Sequence, residues 1–246
     1  MSIAMTTKEN VFPGFPLPPL PLPDSVYFID DSGNSDITLF GLIRVPQTGG
    51  ELTTEAAWTR FLEELAGNPH LVFQPGTYLH AVDLVAGRGG LLHHTPGLAP
   101  TRRQKEEAAG VVRRGLQVLA DVPGIGVSVV YSRRASREAV YGALVEQLND
   151  RHASADSTCE VVMDGNGTEK RLKAAHHDLP RDRRHVIGEP LLVPARLRHL
   201  LQAADFVAHA GFQSLVRDPA REFMWDWFPE AFPQADALVD LGRLRQ

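Results

Sequence analysis

The chain has 246 residues, a length that α/β folds commonly close around a single core, so one domain with appendages is expected. A hydrophobic fraction of 43% with 22% charged residues excludes wholesale disorder or a fibrous repeat, and no apolar run reaches the roughly 18 residues of a membrane span. The net charge of -5 counts against a basic nucleic-acid coat protein, but not against an enzyme acting on nucleic acid, because a site for divalent metal must itself be acidic.

The single cysteine, Cys159, excludes an internal disulfide and a cysteine cage for zinc. Lys8 and Glu9 precede the prolines without a compact apolar core, so the N-terminus does not read as a secretory signal and a cytoplasmic location is expected. Residues 12–23, FPGFPLPPLPLP, favour polyproline II and set residues 1–24 apart as a Pro-rich N-terminal arm, either laid on the body of the protein or offered to a proline-binding partner.

From Ser25 two apolar runs flank a Ser/Gly/Asn/Asp cluster, the pattern of an antiparallel hairpin. The first run is apolar on both faces and predicts a central strand. A helix is expected over 54–66, extended chain over 76–85, then a Gly-rich stretch with His93 and His94. Thr101 and Gln104 form a capping box that opens the clearest helix, with Ala108, Val112, Leu116 and Leu119 on its apolar face and an end before Pro123. A strand over 126–131, a helix over 137–150 and a strand over 158–164 follow. Next come a polar His/Arg loop, a short strand near 185–188 and a helix over about 195–216. This order predicts an α/β domain over 25–216 with a mixed three-layer sheet. An aromatic C-terminal extension, 217–246, carries Trp225, Trp227, Phe228 and Phe232 as anchors for the core or for a homo-oligomer interface.

Three acids stand where an acid is costly. Asp30 and Asp31 end the first strand and alternate onto opposite faces, so only one of them serves a given site; both are also ordinary turn formers. Asp164 ends an apolar strand before Gly165, at the carboxyl end where α/β chemistry is usually placed. Asp205 lies beside the helical stripe of Leu197, Leu201, Ala204, Ala208 and Phe212, so its carboxylate points inward or sideways and needs either a metal or an arginine. Histidine pairs such as His176-His177 read as solvated loop residues rather than a transition-metal site. Arginines 102, 103, 133, 134, 181, 183 and 184 would form a phosphate-facing rim if they shared the face of the acids.

These residues resemble the bacterial and phage family known as domain of unknown function 3800. Tyr27-Phe28-Ile29-Asp30-Asp31-Ser32-Gly33 is similar to its opening strand, with Asp31 in place of the usual Glu. Leu79-His80-Ala81-Val82-Asp83 is similar to its mid-chain element, and Leu201-Gln202-Ala203-Ala204-Asp205 to its closing helix. Where the family carries an Asp-Ser pair before that helix, this chain has Pro194-Ala195, with Glu189 the nearest acid.

The resemblance implies a ribonuclease-H-like mixed sheet flanked by helices and a metal-dependent nuclease or strand-transfer enzyme acting on DNA or RNA. Asp30, Asp164 and Asp205 would hold Mg²⁺ or Mn²⁺, with Asp31, His80, Asp83 and Glu189 as candidates for a further ligand, proton shuttle or supporting group. The Pro194-Ala195 departure and the net negative charge favour the alternative, a catalytically silent module that binds nucleic acid or a protein partner.

Overall fold

The structure, a computed structural model, describes residues 22–68, 71–73, 78–88, 101–234 and 238–242. The residues of the arm before Leu22, and His93 and His94, lie outside them.

The predicted hairpin forms from β1 (Ser25–Gly33) and β2 (Ile37–Pro46), with Asn34 Oδ1 accepting the Asp36 and Ile37 amides in the turn. β3 (Gly126–Arg133) pairs antiparallel with β2, while β4 (Cys159–Asp164) pairs parallel with β1 and β5 (Leu191–Val193) parallel with β4. The C-terminal segment adds β6 (Leu238–Asp240) alongside β3, giving a mixed sheet of order β5-β4-β1-β2-β3-β6. β1 is thus central, as its two apolar faces require.

One face of the sheet packs α1 (Gly50–Ala66), α2 (Ala81–Ala86), α3 (Arg102–Ala120), α6 (His199–Val216) and α7 (Trp227–Ala231); the other packs α4 (Arg137–Ser154) and α5 (Lys170–His177). The arrangement is α/β with helices on both faces of one sheet. α3 starts where its capping box requires, with both reciprocal Thr101–Gln104 bonds made. None of the helices among the described residues is long and apolar enough to cross a membrane.

α6 lies directly on β1 and β2 because Gly41 presents no side chain to it: a Cβ at Gly41 would stand 2.5 Å from the Ala208 backbone nitrogen. Gly41 is the β2 partner of Asp30, so this close approach brings the helix down beside the carboxyl end of β1.

Four expectations need correction. Within 76–85, expected to be extended, residues 81–85 instead belong to α2, a six-residue helix closed by Gly87 in the left-handed conformation (φ 67°). The polar loop after Asp164 contains α5, which buries only Leu172 and His176; counting His176 as polar hides the four-residue spacing of its buried face. The strand near 185–188 reduces to a bridge between Val186 and Cys159, the true edge strand being β5. Residues 195–197 form a separate 3-10 turn before α6 and leave Leu197 67% exposed. In the C-terminal segment Trp227, Phe228 and Phe232 sit in the chain's own core, while Trp225 donates from its indole to Asp218 O (3.0 Å).

Candidate carboxylate site

Strand alternation separates the two adjacent aspartates. Val26 and Phe28 belong to the core under α6, whereas Tyr27 and Ile29 belong to the core under α4, so Asp30 continues toward α6 and Asp31 toward α4. Asp31 is taken up there by Arg137, whose Nε (2.9 Å) and Nη2 (2.7 Å) both donate to Oδ1. β4 divides in the same way: Val162 faces the α6 side and Met163 the α4 side, which puts Asp164 on the face of Asp30. Parallel pairing of Ile29 with Met163 leaves Asp30 and Asp164 level at adjacent strand ends, about 4.8 Å apart by strand spacing. Asp205 reaches the same edge from α6, with only 4% of its surface exposed.

The three carboxyl groups repel one another. Asp30 is held well above its usual pKa, first by burial and then by the charges of Asp205 and Asp31, with Asp164 adding to the effect. Burial raises Asp205 to about 6, against the opposing pull of the Ala81 amide and His80. The neighbouring Asp30 side chain also opposes part of that rise.

Backbone amides hold the other oxygens. Ala81 N–H donates to Asp205 Oδ2 (2.6 Å) and Ala195 N–H to Asp164 Oδ1 (2.7 Å). Gln202, one turn before Asp205, ties these two approaches together: its Oε1 accepts Leu79 N–H (3.2 Å) and its Nε2 donates to Ala195 O (3.4 Å). The Pro194-Ala195 departure therefore falls at the site itself, where Ala195 contributes backbone and a buried methyl group rather than a further acid.

The mid-chain element borders the acids. His80 lies between two carboxylates, Nε2 3.7 Å from Asp205 Oδ1 and Nδ1 3.4 Å from Asp83 Oδ2, and Asp83 also meets Arg88 at 3.3 Å. Tyr78 is held above its usual pKa by burial and by the charges of Asp205, Asp30, Asp164 and Asp83. Its ring stacks on His80, with centroids 5.9 Å apart.

The structure thus brings Asp30, Asp164, Asp205, His80 and Asp83 to one edge and takes Asp31 to the other face. Glu189 is away from this cluster, bound by His177 Nε2 (2.8 Å) and Lys173 Nζ (3.2 Å) beside α5. The arginine rim divides as well. Arg133 ends β3 and Arg134 follows it, level with the carboxyl end of β1, but the run from Arg181 to Arg184 leads into His185, whose carbonyl accepts the Cys159 amide at the amino end of β4, opposite Asp164. Arg102 and Arg103 pair with Glu106 and Glu107 on their own helix.

Sequence reasoning missed Tyr78, Gln202 and Arg137 as parts of this region. Gln202 stands inside the Leu-Gln-x-x-Asp element and carried a signal; Arg137, 106 residues from Asp31, carried none.

Carboxylate oxygens suit a hard divalent cation, and crowded carboxylates are stabilised by one. As the side chains stand, no group of three or more His, Cys, Asp or Glu among the described residues is arranged to hold a metal ion. The amides on Asp164 and Asp205 occupy oxygens that would have to turn toward a cation.

No family model and no curated protein matches this chain.

Proposed function

We propose that the protein is a Mg²⁺- or Mn²⁺-dependent enzyme that cleaves or transfers phosphodiester bonds, with a ribonuclease-H-like carboxylate site of the kind its resemblance to the domain of unknown function 3800 family implies. The observation that carries this reading is the meeting of Asp30, Asp164 and Asp205, from the first strand, a later strand and the closing helix, at the carboxyl edge of the sheet. Burial and neighbouring charge raise the pKa of Asp30 and Asp205, which is unfavourable for the fold alone, so the convergence of these acids calls for a compensating function. The helices on both faces of a mixed sheet agree with the fold class at the level of layers.

In this reading Asp30, Asp164 and Asp205 would hold the cation, and binding would displace the protons that the raised pKa values of Asp30 and Asp205 favour. Mg²⁺ or Mn²⁺ bound there would polarise the phosphoryl group and stabilise its developing charge. His80 is placed to pass a proton between solvent and the site, its side chain being 39% exposed and its two nitrogens facing Asp205 and Asp83. Gln202 keeps both amide-bearing approaches in register with the acids.

Ala195, which brings no acid to the site, favours the second reading, a silent module that binds nucleic acid or a protein without cutting it. Incubation with DNA, RNA and hybrid oligonucleotides in Mn²⁺, Mg²⁺ or EDTA separates the two. The enzyme reading expects cleavage that EDTA abolishes and that Asp30→Ala reduces at least ~100-fold, as loss of a catalytic group does. Cleavage of none of them, or cleavage untouched by Asp30→Ala, overturns it.

A further inference from the structure

Tyr78, Leu79 and His80 run as extended chain into α2, so Tyr78 and His80 share one side while Leu79 takes the other. Leu79 is fully buried and its amide is bound by Gln202, which fixes the segment from below. Above it the Tyr78 and His80 rings lie stacked, 23° from parallel.

The rings of Trp58, Phe28, Phe40, Phe61, Phe206 and Phe228 are fully buried, whereas Tyr78 (39%), Phe223 (52%) and the His80 side chain (39%) are exposed, and of these three Tyr78 and His80 border the carboxylates. Burial in the core would stabilise the fold more than a ring left at the surface, so the exposed position is not explained by packing. The two near-parallel rings instead form an exposed aromatic ledge at the mouth of the carboxylate site. His80 Nε2 is 3.7 Å from Asp205 Oδ1, and Tyr78 feels the charges of Asp205, Asp30 and Asp164 together.

An exposed π surface beside acids suits a flat, conjugated ligand group joined to a phosphate, and a nucleobase is such a group. We propose that Tyr78 and His80 form a stacking ledge for a nucleobase adjacent to the reacting phosphodiester, and hence that the substrate is single-stranded or has that base turned out of the helix. The proposal rests on the phosphodiester reading for what occupies the carboxylates. A base inside a duplex has both faces covered by its neighbours and offers none to the ledge. Stacking tolerates any base, so the ledge selects for strandedness rather than for sequence.

The test measures binding of a labelled single strand in Ca²⁺, with an abasic position walked along it, for wild type, Tyr78→Phe, Tyr78→Trp and Tyr78→Leu. Tyr78→Leu is expected to weaken binding about 5- to 100-fold while Phe and Trp retain it. One abasic position should weaken the wild type to the same level and leave Tyr78→Leu unchanged, a coupling that a merely structural role would not produce. Tyr78→Leu binding within twofold of wild type, an equal loss on every abasic strand, no binding by the wild type, or a duplex bound and cut as well as the single strand would overturn the ledge. Duplex cleavage that is metal-dependent would do so while the phosphodiester reading stands. Tyr78-dependent binding of a single strand that no metal causes to be cut would keep the ledge and remove the enzyme.

Discussion

On the α4 face of the sheet, Asp31 and the buried histidines are engaged. Asp31 has Arg137; His176 has the Tyr141 hydroxyl at 2.8 Å and the Gly188 carbonyl at 3.0 Å; His152 has Tyr27 and Ser157. On the α6 face Asp30, Asp164 and Asp205 crowd together, and one and two turns along the same helix neither nitrogen of His209 nor Oε1 of Gln213 has a hydrogen-bond partner among the described residues. Adjacent aspartates and buried histidines are thus treated in opposite ways on the two faces. The α4 face uses its polar groups to specify packing, while the α6 face keeps groups in states that cost stability, as functional sites do.

The largest effect is expected where the two faces are set at their spacing. Gly41→Leu drives a side chain into the Ala208 backbone and should destabilise the fold by on the order of 3 kcal/mol or more, read from the urea midpoint. An unchanged midpoint would mean that α6 does not sit on the sheet as described.

The two histidines sharpen the contrast. His176→Leu orphans the buried Tyr141 hydroxyl and should cost ~2 to 3 kcal/mol, whereas His209→Leu removes two unpartnered nitrogens and should cost nothing at neutral pH. Burial lowers both histidines from 6.5 to about 4. Their neutral forms belong to the folded state, so stability is lost as pH falls from about 6.5 to about 4, by up to ~3 kcal/mol for each. Asp205, raised from 3.8 to about 6, acts in the other direction: its charge opposes folding above about 6, and that penalty fades as pH falls toward 3.8. The advantage of His209→Leu over wild type should therefore grow in melts between pH 7 and pH 4. A difference independent of pH would contradict a neutral, buried His209.

Smaller effects separate the aspartates. Asp205→Asn keeps an oxygen for the Ala81 amide and relieves repulsion, so in EDTA it should raise stability by ~1 to 2 kcal/mol. Arg137→Ala should lower it by ~1 kcal/mol or less, since both members of that ion pair are about one-third exposed. Thermal melts showing both substitutions as equally destabilising would erase the distinction between the faces.

Much of this division was legible in the sequence, because strand period and helical stripe are local. The alternation of Val26-Tyr27-Phe28-Ile29 separated Asp30 from Asp31, the run ending at Asp164 set its place at a strand end, and the stripe around Asp205 pointed it inward. What escaped depended on distant partners. Arg137 captures Asp31 from another helix, the Asp205 carboxylate receives the first amide of α2, and His176 is a core residue only because Tyr141 and Gly188 meet it. Arg181 to Arg184 read as basic rim from charge alone, but the sheet places them at the wrong end, a fact fixed by the pairing of Cys159 with His185.

The central claim, that the α6-face acids form a site for a divalent cation, is tested most directly by calorimetric titration of Mn²⁺ into wild type, Asp30→Asn, Asp205→Asn and Arg137→Ala. The account predicts submillimolar binding by wild type and Arg137→Ala, with at least a ~10-fold loss in Asp30→Asn and Asp205→Asn as a charged ligand is removed. Binding that survives unchanged in both aspartate variants, or no binding by the wild type, would contradict it.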